Sequence, residues 1–209
     1  MENTYPPKEE KFNVWSHFIG FILSIAALTL LVVKSSLFGN VWHIVSYSIY
    51  GSSLILLYLA STLYHKSKKP KIRARLNIFD HAAIYVLIAG TYTPFTLVTL
   101  HGVTGWVLFG LTWGVAILGV IFKLFFIGKY DRLSTIMYVL MGWMVIFAIK
   151  PLIENLSAQG LFWLAAGGVF YTVGAVFYSR EKLAYNHAIF HVFVLLGSIS
   201  HFVSIFFYV

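Results

Sequence analysis

Of the 209 residues, 59% are hydrophobic and 11% are charged, and the mean hydropathy is +0.82, whereas a water-soluble domain carries about 25% charged residues. Too little polar surface remains to cover a soluble globule, so the chain reads as one domain, residues 1–209, solvated by a bilayer. The absence of cysteine removes disulfides and thiolate metal sites, leaving His, Asp and Glu to hold any metal.

Residues 1–14 are polar and mixed in charge and form a leading cytoplasmic segment. The apolar stretch behind them is long enough to span rather than to act as the core of a cleavable signal, so no signal peptide is expected. A helix needs roughly 20 mainly apolar residues to cross the hydrocarbon. Seven stretches qualify, at about 15–33, 41–64, 80–100, 104–126, 133–149, 158–178 and 187–208. Between them fall Lys34 to Asn40, the basic run Lys66 to Arg75, His101-Gly102, Gly128 to Arg132, a loop opened by Lys150-Pro151, and Ser179 to Lys182. Backbone groups in lipid must bond within their own segment, and the period-2 alternation of barrel strands is absent. The fold class is therefore all-α, a polytopic seven-helix bundle.

With seven spans, 13 of the 15 Lys and Arg share one side, and only Lys34 and Lys150 fall on the other. The positive-inside rule makes the basic side cytoplasmic, with the N-terminus inside and the C-terminus outside. The charge thus follows anionic headgroups and gives no reason to expect nucleic acid as a partner. Membrane lipids are the expected substrate or ligand, and the short loops and apolar surface make self-association into a homo-oligomer a further expectation. Gly110 and Gly114 form a small-xxx-small pair that reads equally as close helix packing or as ordinary membrane-helix glycine.

The chemistry-bearing residues gather at the basic end. Ser61 and His65 close the second span, Asp80 and His81 open the third, and His187 and His191 open the seventh. Glu10, Asn13 and His17 lead into the first. Because helices alternate in direction, all of these fall at one membrane depth. His187 and His191, four apart, share a helix face and can aim two imidazoles at one spot. With His65 as third ligand, three imidazoles leave an open fourth position, the form of a catalytic zinc site. Asp80 is assigned as base and orienter of the reacting water, and Ser61 as a hydrogen-bond partner of that water or of the substrate oxyanion. Glu10, Asn13 and His17 are assigned to bracing the ligands. Other readings stay open: the His pair as interfacial anchors, Asp80 as a helix cap, Ser61 as an ordinary helix serine. His43, His101 and His201 are read as interface residues at the opposite side.

Three patterns together, Glu10-x-x-Asn13-x-x-x-His17, Ser61-x-x-x-His65 followed by Asp80, and His187-x-x-x-His191, resemble the motifs of the progestin and adipoQ receptor family, and specifically its bacterial hemolysin III branch. The resemblance covers essentially the whole chain and implies an adiponectin-receptor-like architecture. It implies zinc on His65, His187 and His191, with Asp80 at the zinc-bound water and Ser61 beside the metal. The family's receptors are linked to ceramide hydrolysis, and its bacterial members to haemolysis or membrane-fluidity homeostasis. Three expectations follow: a zinc-dependent hydrolase of amide or ester lipids, a pore-forming cytolysin, or a membrane-state sensor with structural zinc. The large N-terminal domain of the receptors has no counterpart in this chain, so ligand binding through it does not carry over.

Overall fold

The computed structural model describes residues 5–180 and 182–209, and these residues hold seven helices long and apolar enough to cross a membrane. They are α1 (Pro7–Phe38), α2 (Val41–Lys66), α3 (Pro70–Leu100), α4 (Gly102–Phe126), α5 (Asp131–Asn155), α6 (Ala158–Tyr178) and α7 (Asn186–Tyr208). There is no strand among the described residues. The protein is a multi-pass, all-α membrane bundle.

Helix starts follow local chemistry. α1 and α3 begin on Pro7 and Pro70, where the missing N–H costs nothing. The turn into α2 is closed by Asn40, whose side chain accepts from the Trp42 and His43 amides at 2.9 and 3.3 Å. His43 is thereby part of a cap. The loop before α5 turns on Gly128, at φ 73°.

Two spans start earlier than their hydropathy implies. α1 takes in Glu10, Asn13 and His17, and α3 opens at Pro70, so Asp80 and His81 lie well inside it. Hydropathy marks the edge of the hydrocarbon, whereas the helix continues through the polar residues beyond that edge. Lys150-Pro151 opens no loop. It sits in the last helical segment of α5, Ile149–Asn155, whose first turn tolerates proline.

α3 is the central helix, and α1, α4, α5 and α6 show wide apolar faces to the surroundings, with Leu118, Phe125, Phe147 and Phe162 among the exposed residues. Such a belt is what lipid tails cover. Gly110 and Gly114 lie on α4 with open space beside them, so they make no close packing within the chain. α1 and α7 close the bundle, where Lys34 donates to the Phe206 carbonyl and Tyr47 to that of Ile205 at 3.2 Å.

Two departures from α-geometry lie in α3 and α5. α3 ends in a π-helical turn, Phe95–Leu100, after Pro94. α5 tightens into a 3₁₀ turn, Met144–Ala148, after Gly142. The Tyr92 hydroxyl bridges the break in α5, donating to the Gly142 carbonyl at 2.7 Å and accepting from the Val145 amide at 2.8 Å. Backbone groups released by the break thus find a partner without water.

Candidate metal centre

At the basic end, α2 brings His65 and α7 brings His187 and His191 to one buried point, where one ring nitrogen from each lies within 4.8 Å of the others. The Nε2 atoms of His65 and His187 are 3.1 Å apart. Ring centroids are separated by 5.0, 5.0 and 4.6 Å for the three pairs.

What holds each ring decides which nitrogen it offers. A carboxylate only accepts, so Glu10 at 2.7 Å takes the hydrogen of His65 Nδ1 and leaves the Nε2 lone pair bare. The Ser16 hydroxyl donates its one hydrogen to the Asn13 carbonyl at 3.1 Å, so at 3.2 Å it accepts from His191 Nδ1, and again Nε2 is bare. The Tyr5 hydroxyl holds His187 Nδ1 at 3.0 Å, with its ring stacked at 4.6 Å. Burial pushes the Tyr5 phenol well up from its ordinary value, so it bonds as a neutral O–H.

One hydrogen on His187 Nε2 can satisfy His65 or His191, but not both. A cation between the rings satisfies all three. Zinc sits about 2.0–2.1 Å from imidazole nitrogen, which sets two tetrahedral ligands about 3.3 Å apart, close to the His65–His187 separation. The donor set therefore fits zinc, with His65, His187 and His191 as the residues that would hold it.

The other site residues surround this point. Asp80 and Ser61 line the same cavity as His187 and His191, and the Ser61 hydroxyl is buried with no partner among the described residues. His17 stacks on His191 at 3.5 Å, meets Tyr58 edge-on at 5.0 Å, and has neither ring nitrogen hydrogen-bonded among the described residues. Asn13 is fully buried, contributing its backbone carbonyl to Ser16 while its side-chain amide has no partner among the described residues. Glu10 is shared between His65 and Arg73.

Several residues of this shell do not show in the sequence. Tyr5 precedes the first helix and has no motif around it. Ser16 lies three residues after Asn13 on the buried face of α1, and that spacing was its one signal. Arg73 is counted among lipid-facing basic residues by sequence. Instead it is buried, reaches the Tyr64 carbonyl at 3.3 Å at the end of α2, lies over the Tyr64 ring at 4.5 Å, and pairs with Glu10. Lys123 is likewise buried, bonded to Asp131 at 3.0 Å. Asp131, at the start of α5, also lines the cavity.

The cavity has a volume of about 230 Å³ and is walled mainly by α3, α5, α6 and α7. It runs from the His cluster past Ile84, Leu87 and Tyr92 to Phe95, Leu152 and His201. His201, expected at the membrane interface, faces inward over Gly167, where an added Cβ would lie 2.1 Å from the imidazole.

The haemolysin-III-related family matches residues 5–202. A hemolysin-3 of Bacillus cereus is 51% identical over 97% of this chain and 92% of its own length. A hemolysin-3 homolog of Bacillus subtilis (strain 168) is 47% identical over 96% of this chain and 94% of its own. The human monocyte to macrophage differentiation factor is 27% identical, over 94% and 83%. No solved structure matches the chain.

Proposed function

Because the chain belongs to the haemolysin-III-related family, we propose that it is a zinc-binding protein of that type acting as a ceramidase-like hydrolase of amide or ester lipids in membrane homeostasis. The carrying observation is the three-histidine cluster, of which His187 and His191 line an apolar cavity beside the Asp80 carboxylate and the Ser61 hydroxyl. The charge asymmetry of the sequence supports a bacterial plasma-membrane location with the N-terminus in the cytoplasm and the C-terminus outside.

Zinc held there supplies a Lewis acid and a water that ionises near pH 7. Glu10, Ser16 and Tyr5 keep the three rings in orientation. The Asp80 carboxylate takes a proton and returns it to the leaving amine or alcohol. Ser61 Oγ donates to the oxygen on which charge develops. The cavity wall below them holds the acyl chain and excludes water.

Elemental analysis of detergent-purified protein should give about one zinc per chain, lost in His187→Ala/His191→Ala. Asp80→Asn should keep the zinc and lower lipid-amide turnover by about 100-fold or more, within the range of acid–base contributions. Turnover of every lipid tested at the wild-type rate in Asp80→Asn would falsify the mechanism.

The hemolysin names of the relatives support a second reading, a pore-forming cytolysin. Dye release from liposomes that is steep in protein concentration and indifferent to zinc removal would favour it. A sensor with structural zinc predicts a bundle that unfolds on metal removal and turns nothing over.

A further inference from the structure

The opposite end of the cavity contains its own unanswered polar group. His201 Nε2 lies 3.1 Å from the Leu164 carbonyl, which can only accept, so in the neutral ring Nε2 bears the hydrogen. Nδ1 is then a lone-pair acceptor, and it is buried without a partner among the described residues. The hydroxyls of the described residues do not bond it. Those of Tyr58 and Tyr171 both bond Ser198 Oγ at 2.7 Å, and that of Tyr50 reaches the Ser198 carbonyl at 3.4 Å. The position is built for an imidazole, with Gly167 beneath the ring and the Tyr171 ring 5.4 Å away. A buried acceptor left unpaired is costly, and this one borders a cavity whose other polar groups are mostly at the far end.

We propose that His201 is a specificity-determining contact for the lipid in the cavity. It accepts a hydrogen bond from a hydroxyl or amide N–H carried on the chain of that lipid. The ten-residue offset along α7 from His191 to His201 sets the separation at about 15 Å from the His cluster. The ligand class is thus a long-chain lipid with one polar group at the His cluster and a hydrogen-bond donor well down the chain. A plain saturated chain fills the same space but leaves Nδ1 unanswered.

This inference rests on the cavity holding a lipid chain, so its test reads binding and leaves turnover aside. Trp143 lines the cavity and reports occupancy by fluorescence. The probes are octadecanoate, 12-hydroxyoctadecanoate, 12-oxooctadecanoate and 2-hydroxyoctadecanoate, titrated into the zinc-loaded protein. In the 12-hydroxy acid the donor lies roughly 15 Å from the carboxylate when the chain is extended. The wild type should bind it about fivefold more tightly than octadecanoate, the worth of one ordinary hydrogen bond. The 12-oxo acid, similar in shape but without a donor, and the 2-hydroxy acid, with its donor misplaced, should gain nothing. His201→Leu should erase the preference and keep the affinity for octadecanoate.

Equal affinities for all four acids in the wild type would overturn the proposal, as would a preference that survives His201→Leu or is shared by the 12-oxo acid. If no acid binds, the lipid-chain reading of the cavity falls, and this proposal with it. If the 12-hydroxy preference appears without turnover of any lipid, the proposal stands while the hydrolase reading fails.

Discussion

The two ends of the cavity use the same side chain in opposite ways. At the basic end, Glu10, Ser16 and Tyr5 each hold an Nδ1, and the Nε2 atoms are free to converge. At the other end, a helix carbonyl holds Nε2 of His201, and Nδ1 is left buried without a partner among the described residues. Histidine count alone therefore predicts nothing about a membrane site. The neighbour that fixes the tautomer decides whether a ring serves a cation or a hydrogen-bond donor. Three converging ring nitrogens suit a cation, and one isolated lone pair suits a hydrogen-bond donor.

The strength of that holding should be graded, and the grading can be broken by measurement. Glu10→Ala removes a charged acceptor that His65 shares with Arg73. Zinc affinity, read by chelator competition, should fall by about 100-fold, the upper end for partners of ligand residues. Ser16→Ala removes a neutral contact and should cost about tenfold. Tyr5→Phe retains the stacked ring and loses only the hydroxyl, so about threefold is expected. An order reversed between Glu10 and Tyr5 would mean that the charge on the brace does not govern the site.

Tyr92→Phe provides the control outside the cluster. It removes the hydroxyl that satisfies both the Gly142 carbonyl and the Val145 amide. Thermal unfolding in detergent should show a loss of about 1–3 kcal/mol, with zinc content unchanged. A loss of zinc in this variant would tie the break in α5 to the metal centre and erase the separation between the two ends.

The seven spans were legible because lipid demands long apolar helices, and hydropathy reports that demand directly. The His cluster was legible as well, since the spacing of His187 and His191 and the alternating direction of the helices place them with His65. The limits of α1 and α3 were not, because Pro7 and Pro70 start helices in polar sequence beyond the hydrocarbon edge. Arg73 and Lys123 misled for a related reason: a basic residue near a span end counts toward topology whether it faces headgroups or folds back onto a carboxylate. Tyr5 and Ser16 gave no readable motif because their contacts, to His187 and His191, join residues from opposite ends of the sequence. His201 was misread because sequence gives depth but not the direction a side chain faces, and Gly167 on another helix sets that direction.

The site also carries a timetable. Tyr5, Glu10 and Ser16 emerge first from the ribosome, His65 soon after, and His187 and His191 with the final helix. Until α7 is made, the nascent chain has the bracing residues and His65 but not the three-histidine cluster. α1 must wait in the membrane until α7 arrives to close the ring against it, through Lys34 and Phe206 at one end and Ser16 and His191 at the other. Ring closure and completion of the histidine cluster are thus the same event. A metal taken up by the cluster would therefore report that α7 has docked against α1, and a chain that stops before α7 lacks two of the three histidines.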